Sequence, residues 1–201
     1  MKSGLIVLTC YLTIAAVAYQ PFLFSGLSTG PYIAFASGDG DGKRYNGPLH
    51  GGDSSEHVIY CTFNENVKAP LCVGTSKSDI IIGTLQDDFI KGKGADDALQ
   101  GRTGDDDIFG DNGNDDIQGG IGNDNIYGQD GNDLMYGGAG GDYMVGGNGN
   151  DDLYAGLDED ILEGGPGKNY FDCGDGYDII IDFDPSKDIA SNNCEDVRIG
   201  L

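Results

Sequence analysis

The chain has 201 residues, enough for one ordinary domain, yet 36 of them are Gly, and 34 acidic residues against 11 basic ones give a formal net charge of -23. Such a balance excludes nucleic acid and anionic membrane surfaces as partners, since both require positive protein charge, and makes a cation the natural ligand. High charge with few large apolar residues ordinarily signals disorder; a strict periodicity further along the chain argues against it here.

Residues 1–18 begin with Lys2, continue as an uncharged apolar run and end in Ala16-Val17-Ala18. A positive start, a short apolar core and an A-x-A ending describe a secretory signal peptide, with cleavage after Ala18. The alternative is an uncleaved anchor, because Phe22, Leu23, Phe24 and Leu27 extend the apolar character beyond Pro21, and Ala34-Phe35-Ala36 offers a second small-residue ending. Only the uncleaved form would involve a membrane. Both readings place the acidic remainder outside the cytoplasm, secreted or at the cell surface. Cysteine usage agrees: besides Cys10, four remain, Cys61, Cys72, Cys173 and Cys194, an even number in an exported chain. Of the three possible pairings we expect the local one, Cys61–Cys72 with Cys173–Cys194, which sets one bridge near each end of the periodic stretch. The alternative is free buried thiols.

Residues 19–73 read as a linker followed by an N-terminal cap. Within SGDGDGKRYNGPLHGGDSSE, residues 37–56, Asp39 and Asp41 resemble the start of an EF-hand loop, but the sixth and twelfth places hold Arg44 and His50 instead of Gly and Glu. His50, His57, Asp53 and Ser54 suggest a hydrolase, yet the chain has neither G-x-S-x-G nor H-E-x-x-H, and a solvated loop is the better reading. No enzyme activity is expected. Val58-Ile59-Tyr60 and Leu71-Cys72-Val73 are candidate short strands that close the first turn of the periodic stretch, because a stacked structure needs its end strand covered.

Residues 74–181 are twelve nine-residue units laid end to end, best seen in GDNGNDDIQ, GGIGNDNIY and GGNGNDDLY. Gly stands first and fourth. The sixth position is Asp79, Asp88, Asp97, Asp106, Asp115, Asp124, Asp133, Asp142, Asp151, Asp160, Asn169 and Asp178; the eighth is always apolar. Gly at positions one and four is expected to supply φ > 0 and a tight turn, pointing carbonyl oxygens into one small volume to which the Asp adds a carboxylate. An all-oxygen donor set with flexible coordination suits calcium; magnesium would keep more water. A three-residue strand comes next, such as Asp107-Ile108-Phe109, whose middle side chain faces one way and its neighbours the other. Two units make a flattened eighteen-residue turn, and stacked turns give two parallel sheets with the eighth-position residues between them. One apolar side chain per nine residues cannot offset the entropy of ordering them, so a bound ion coupled to folding is the expected remedy.

The units resemble the calcium-binding repeat G-G-x-G-x-D-x-U-x of repeats-in-toxin (RTX) proteins. The resemblance implies an all-β parallel β-roll holding several Ca2+ ions between successive turns, with ligands from Asp88, Asp97, Asp106, Asp115, Asp124, Asp133, Asp142, Asp151, Asp160 and Asp178 and from carbonyls eighteen residues away. The match is best over 101–154. Lys77, Gln86 and Ala95 replace the fourth-position Gly early on, and Ala155, Asp158, Asn169 and Cys173 depart later, so weaker sites are expected at both ends. Outward positions predict ladders of Phe109, Tyr127 and Val145 and of Tyr136 and Tyr154, which stabilise sheet faces or offer a surface for a cell-surface partner or self-association. Residues 182–201 leave the period and read as a C-terminal cap that a Cys173–Cys194 bridge would fold over the open end. The whole reads as a calcium-binding, calcium-folded extracellular structural or adhesive module; the alternative is an accessory module of a secreted enzyme or toxin encoded elsewhere.

Overall fold

The structure, a computed structural model, describes residues 57–61 and 71–200. The expected signal segment and most of the linker, with His50, Asp53 and Ser54, lie outside the described residues. Sixteen strands and no helix succeed one another among those described: β1 (His57–Tyr60), β2 (Leu71–Val73), β3 (Asp79–Ile82), β4 (Phe89–Gly94), β5 (Ala98–Thr103), β6 (Asp107–Asn112), β7 (Asp116–Ile121), β8 (Asn125–Asp130), β9 (Leu134–Ala139), β10 (Tyr143–Asn148), β11 (Asp152–Leu157), β12 (Ile161–Glu163), β13 (Tyr170–Asp175), β14 (Ile179–Phe183), β15 (Ile189–Ala190) and β16 (Asp196–Ile199). Odd-numbered strands form one parallel sheet and even-numbered strands the other, each in chain order. The chain therefore alternates between sheets at every strand, and within the array register partners lie eighteen residues apart, as in Ile108 with Ile126 and Ile117 with Met135. This is the parallel β-roll that the period of nine predicts.

The eighth-position side chains Ile81, Ile90, Leu99, Ile108, Ile117, Ile126, Met135, Met144, Leu153, Leu162, Phe171 and Ile180 are buried between the sheets and form one continuous core. The strands are longer than the three residues expected. They run on through the first three positions of the next unit, because the backbone there stays extended and keeps pairing, as in Gly156 with Gly138. Alternation then turns the first position inward as well, which is why Ala155 and Cys173, at first positions, join the core.

The role expected of the first glycine needs correction. Positive φ occurs at the second and fourth positions. In one unit Gly120 and Gly122 have φ of 125° and 142°. At second positions the left-handed conformation is imposed even on Lys93, Arg102, Asp111 and Gln129, and at fourth positions on Ala95 and Asp158. First-position Gly is required for a different reason. A Cβ on Gly101 would overlap the Oδ2 of Asp106 and lie 2.7 Å from the carbonyl oxygen of Gly119. The residue is glycine so that a carboxylate and a neighbouring turn can approach the backbone.

Both ends are closed by strand addition. β1 pairs with β3 and β2 with β4, and the Cys61–Cys72 disulfide joins them. At the other end the tail does not fold over the opening. It continues the stack, β15 pairing with β13 and β16 with β14, at spacings of nineteen for Tyr170 with Ile189 and seventeen for Ile179 with Asp196. Those unequal spacings put the extra turn outside the period of nine. Cys173–Cys194 fastens this turn to the array.

Candidate metal-binding edges

Each sixth-position Asp is buried at the edge where a turn passes between the sheets. Its two oxygens have different surroundings. From Asp97 onward, Oδ1 accepts the backbone N–H of the sixth-position residue one turn earlier: Asp106 N donates to Asp124 Oδ1 at 2.8 Å, and Asp124 N to Asp142 Oδ1 at 2.8 Å. The same bond links Asp97, Asp115, Asp133, Asp151 and Asn169 along the opposite edge. Two unbroken columns of side chains result, all of them carboxylates except Asn169. Oδ2 of Asp97, Asp106, Asp115, Asp124, Asp133, Asp142, Asp151, Asp160 and Asp178 is buried with no hydrogen-bond donor among the described residues, which an isolated carboxylate does not tolerate in a folded interior.

Burial raises the carboxyl pKa accordingly. Desolvation is the main cause, opposed by the backbone N–H on Oδ1 and reinforced by carboxylates on neighbouring turns. Asp97, Asp106, Asp115 and Asp133 are pushed up to about 7, Asp142 and Asp160 to about 8, and Asp124, Asp151 and Asp178 to about 6.

The exceptions define what the regular sites lack. Asn169 places an amide where the others have Oδ2, and its Nδ2 donates to the carbonyl oxygen of Gly165 at 3.0 Å. With Asp in that place, two acceptors would face each other with no proton between them. Near the start of the array Thr75 and Thr84, at second positions, donate backbone N–H groups to Oδ2 of Asp79 and Asp88, and Thr75 adds its hydroxyl at 2.9 Å. Asp88 therefore differs from the other expected ligands: its Oδ2 already has a donor, although burial raises its pKa too. It also lies beside the sulfurs of Cys61 and Cys72, which are committed to their disulfide.

The columns end on side chains outside the repeats. His57, expected in a solvated loop, begins β1, and its Nδ1 lies 2.7 Å from Asp79 Oδ1. At the far end Asp188 Oδ1 accepts the N–H of Asn169, and Glu195 Oε2 that of Asp178.

The fifth position carries a second ladder that the repeat motif leaves unspecified. Its Asp or Asn accepts the N–H of the residue one turn later: Asn114 N to Asp96 Oδ1, Asn132 N to Asn114 Oδ1 and Asn150 N to Asn132 Oδ1, with a matching series from Asp87 through Asp105 to Asn123. Its signal in the sequence is the Asn or Asp that precedes the sixth-position Asp in most units.

A parallel β-solenoid whose two edges carry stacked, donor-poor carboxylates beside glycine carbonyls belongs to the class of metal-binding β-rolls. A family model of the RTX calcium-binding nonapeptide repeat, in four copies, matches residues 73–108, 109–144 and 145–180, and the chain belongs to that family. Its repeats are calcium-binding repeats. Comparison with curated proteins and with solved structures finds no match.

Proposed function

We propose that Asp97, Asp106, Asp115, Asp124, Asp133, Asp142, Asp151, Asp160 and Asp178 hold calcium ions between adjacent turns, together with turn carbonyl oxygens, and that this binding is coupled to folding. The observation that carries the reading is the set of buried Oδ2 atoms without donors, next to the single site where Asn169 supplies its own donor. The donors are hard oxygens, as calcium prefers. Bound calcium would supply the positive charge that neutralises each column and lets its carboxylates stay ionised. Asp88, and Asp79 at the start of the opposite column, take part weakly or not at all, since Thr84 and Thr75 serve their Oδ2 atoms.

The protein then acts by binding, as an extracellular structural or adhesive module whose fold is set by external calcium. Two disulfides and the signal-like N-terminus support that location. Sites of this kind at the cell exterior bind at about 0.1–1 mM, within reach of a change in external calcium. Isothermal titration with calcium, followed by circular dichroism in chelator, tests the proposal. Saturable binding of several ions with loss of β-signal on chelation is expected; no heat of binding and an unchanged spectrum would refute it.

A further inference from the structure

The outer face of the even-numbered sheet carries one column of side chains in register: Lys91, Phe109, Tyr127, Val145 and Glu163. At its start the column meets its own needs. The ammonium of Lys91 sits over the Phe109 ring, 5.8 Å from the centroid, and bonds Asp111 at 3.0 Å. Phe109 and Tyr127 stack at 4.9 Å, nearly parallel. Stacking turns the second face of Tyr127 along the column, towards Val145. Val145 is too short to cover that face, and the next side chain in register is a carboxylate. The result is a slot with Tyr127 as one wall, Val145 as its floor and Glu163 beyond, edged by Asp130, Asn148 and Pro166.

Tyr143 fixes the far wall, donating its hydroxyl to Glu163 Oε2 at 3.1 Å while meeting Tyr127 edge-on. Tyr127 and Glu163 are two strand spacings apart, about 4.8 Å each, which leaves depth for one planar group. At the start of the column a ring and a carboxylate share the cation of Lys91; at this end a ring and a carboxylate line one slot with Tyr143 between them at its side, and among the described residues no Lys or Arg lines it. A chain of net charge -23 favours a basic occupant in addition.

We propose that the slot between Tyr127 and Glu163 binds the guanidinium of an arginine side chain presented by a basic partner protein. The planar group stacks on the Tyr127 ring and donates to the Glu163 carboxylate, a pairing that a lysine ammonium reproduces less well. Contact with Val145 sets the depth of insertion. The slot lies on the sheet face and shares Gly165 with the Asn169 position of one column, but none of the proposed calcium ligands lines it, so the inference goes beyond the calcium reading.

The test is titration of the full chain, in calcium, with the peptide acetyl-GRGRG-amide, and separately with acetyl-GKGKG-amide and the neutral sugar cellotetraose. Circular dichroism would establish that each variant is folded. The arginine peptide is expected to bind more tightly than the lysine peptide of equal charge. Glu163→Gln and Tyr127→Ala should each weaken it about tenfold. Val145→Phe fills the slot without changing the charge and extends the aromatic ladder, so it should remain folded yet lose the peptide. Asp107→Asn, which removes a charge elsewhere on the same sheet, should change little. Equal affinity for both peptides, or an unaltered affinity in Val145→Phe, would mean diffuse attraction to an acidic surface and would overturn the proposal. Binding of cellotetraose in place of the arginine peptide would overturn it in favour of a glycan.

Discussion

Aspartate at the sixth position divides its work between two oxygens. Oδ1 joins one turn to the next through a backbone N–H, and Oδ2 stays without a donor. On the calcium reading proposed above only the second depends on the ion, so Asp124→Asn should keep the turn-to-turn bond and reduce the number of calcium ions bound, read by titration. The reverse change, Asn169→Asp, removes the donor to the Gly165 carbonyl and should add a calcium site. Asp88→Asn should leave the stoichiometry nearly unchanged, because Thr84 already serves its Oδ2. The raised carboxyl pKa values, about 6 to 8, set the response to pH. A carboxyl whose pKa is higher folded than unfolded binds more protons in the fold. Its contribution is complete below the unfolded value near 4 and is lost as pH rises through 6 to 8. In chelator the β-signal should therefore grow as pH falls from 8 to 4. In calcium, protons compete for the same oxygens, and affinity should fall over that range. Gly122→Ala tests the backbone. Its φ of 142° and the overlap of a Cβ with the Gly104 carbonyl predict a loss above about 2 kcal/mol in denaturant unfolding.

At the scale of the strand, the eighth-position column stabilises and the outward positions tune. Ile126 is fully buried, so Ile126→Ala should cost about 2–5 kcal/mol. Ile121, 60% exposed at the end of β7, should tolerate alanine within about 0.5 kcal/mol in the same measurement. These columns were legible in the sequence because a strand has a period of two and the unit has nine residues; the apolar eighth position thus fixed sheet, register and facing at once. The same regularity predicted the Phe109–Tyr127 and Tyr136–Tyr154 stacks. Legibility stopped where one residue type serves two ends. First-position and fourth-position glycines look alike in sequence, but one makes room for a carboxylate and the other adopts a left-handed backbone. Nor does Thr84 announce itself: the composition of its unit does not reveal that it donates to Asp88. His57 was equally hidden, since its partner Asp79 is reached only after the chain crosses to the other sheet and returns.

For the whole molecule, two disulfides bracket the array, and the turns between them contact only their neighbours, as in other solenoids. Replacing Cys173 and Cys194 by alanine should lower stability by about 3 kcal/mol, from the loop-closure entropy of a 21-residue separation, with the loss centred on the last turn; hydrogen exchange of β15 and β16 would locate it. That turn was poorly legible because its spacings of nineteen and seventeen break the nine-residue count, although Asp188 and Glu195 continue the two columns that the repeats begin. The linear order of contacts also has a mechanical consequence. A chain pulled from its two ends cannot shear both sheets together; it must unwind one loop of the coil at a time, as thread leaves a spool. Each eighteen-residue loop would lengthen the tether by about 60 Å, and each would resist with the strength of the ions clamped along its rims. Extension under load would then be graded by the calcium around it, stiff when the ion is plentiful and yielding when it is scarce.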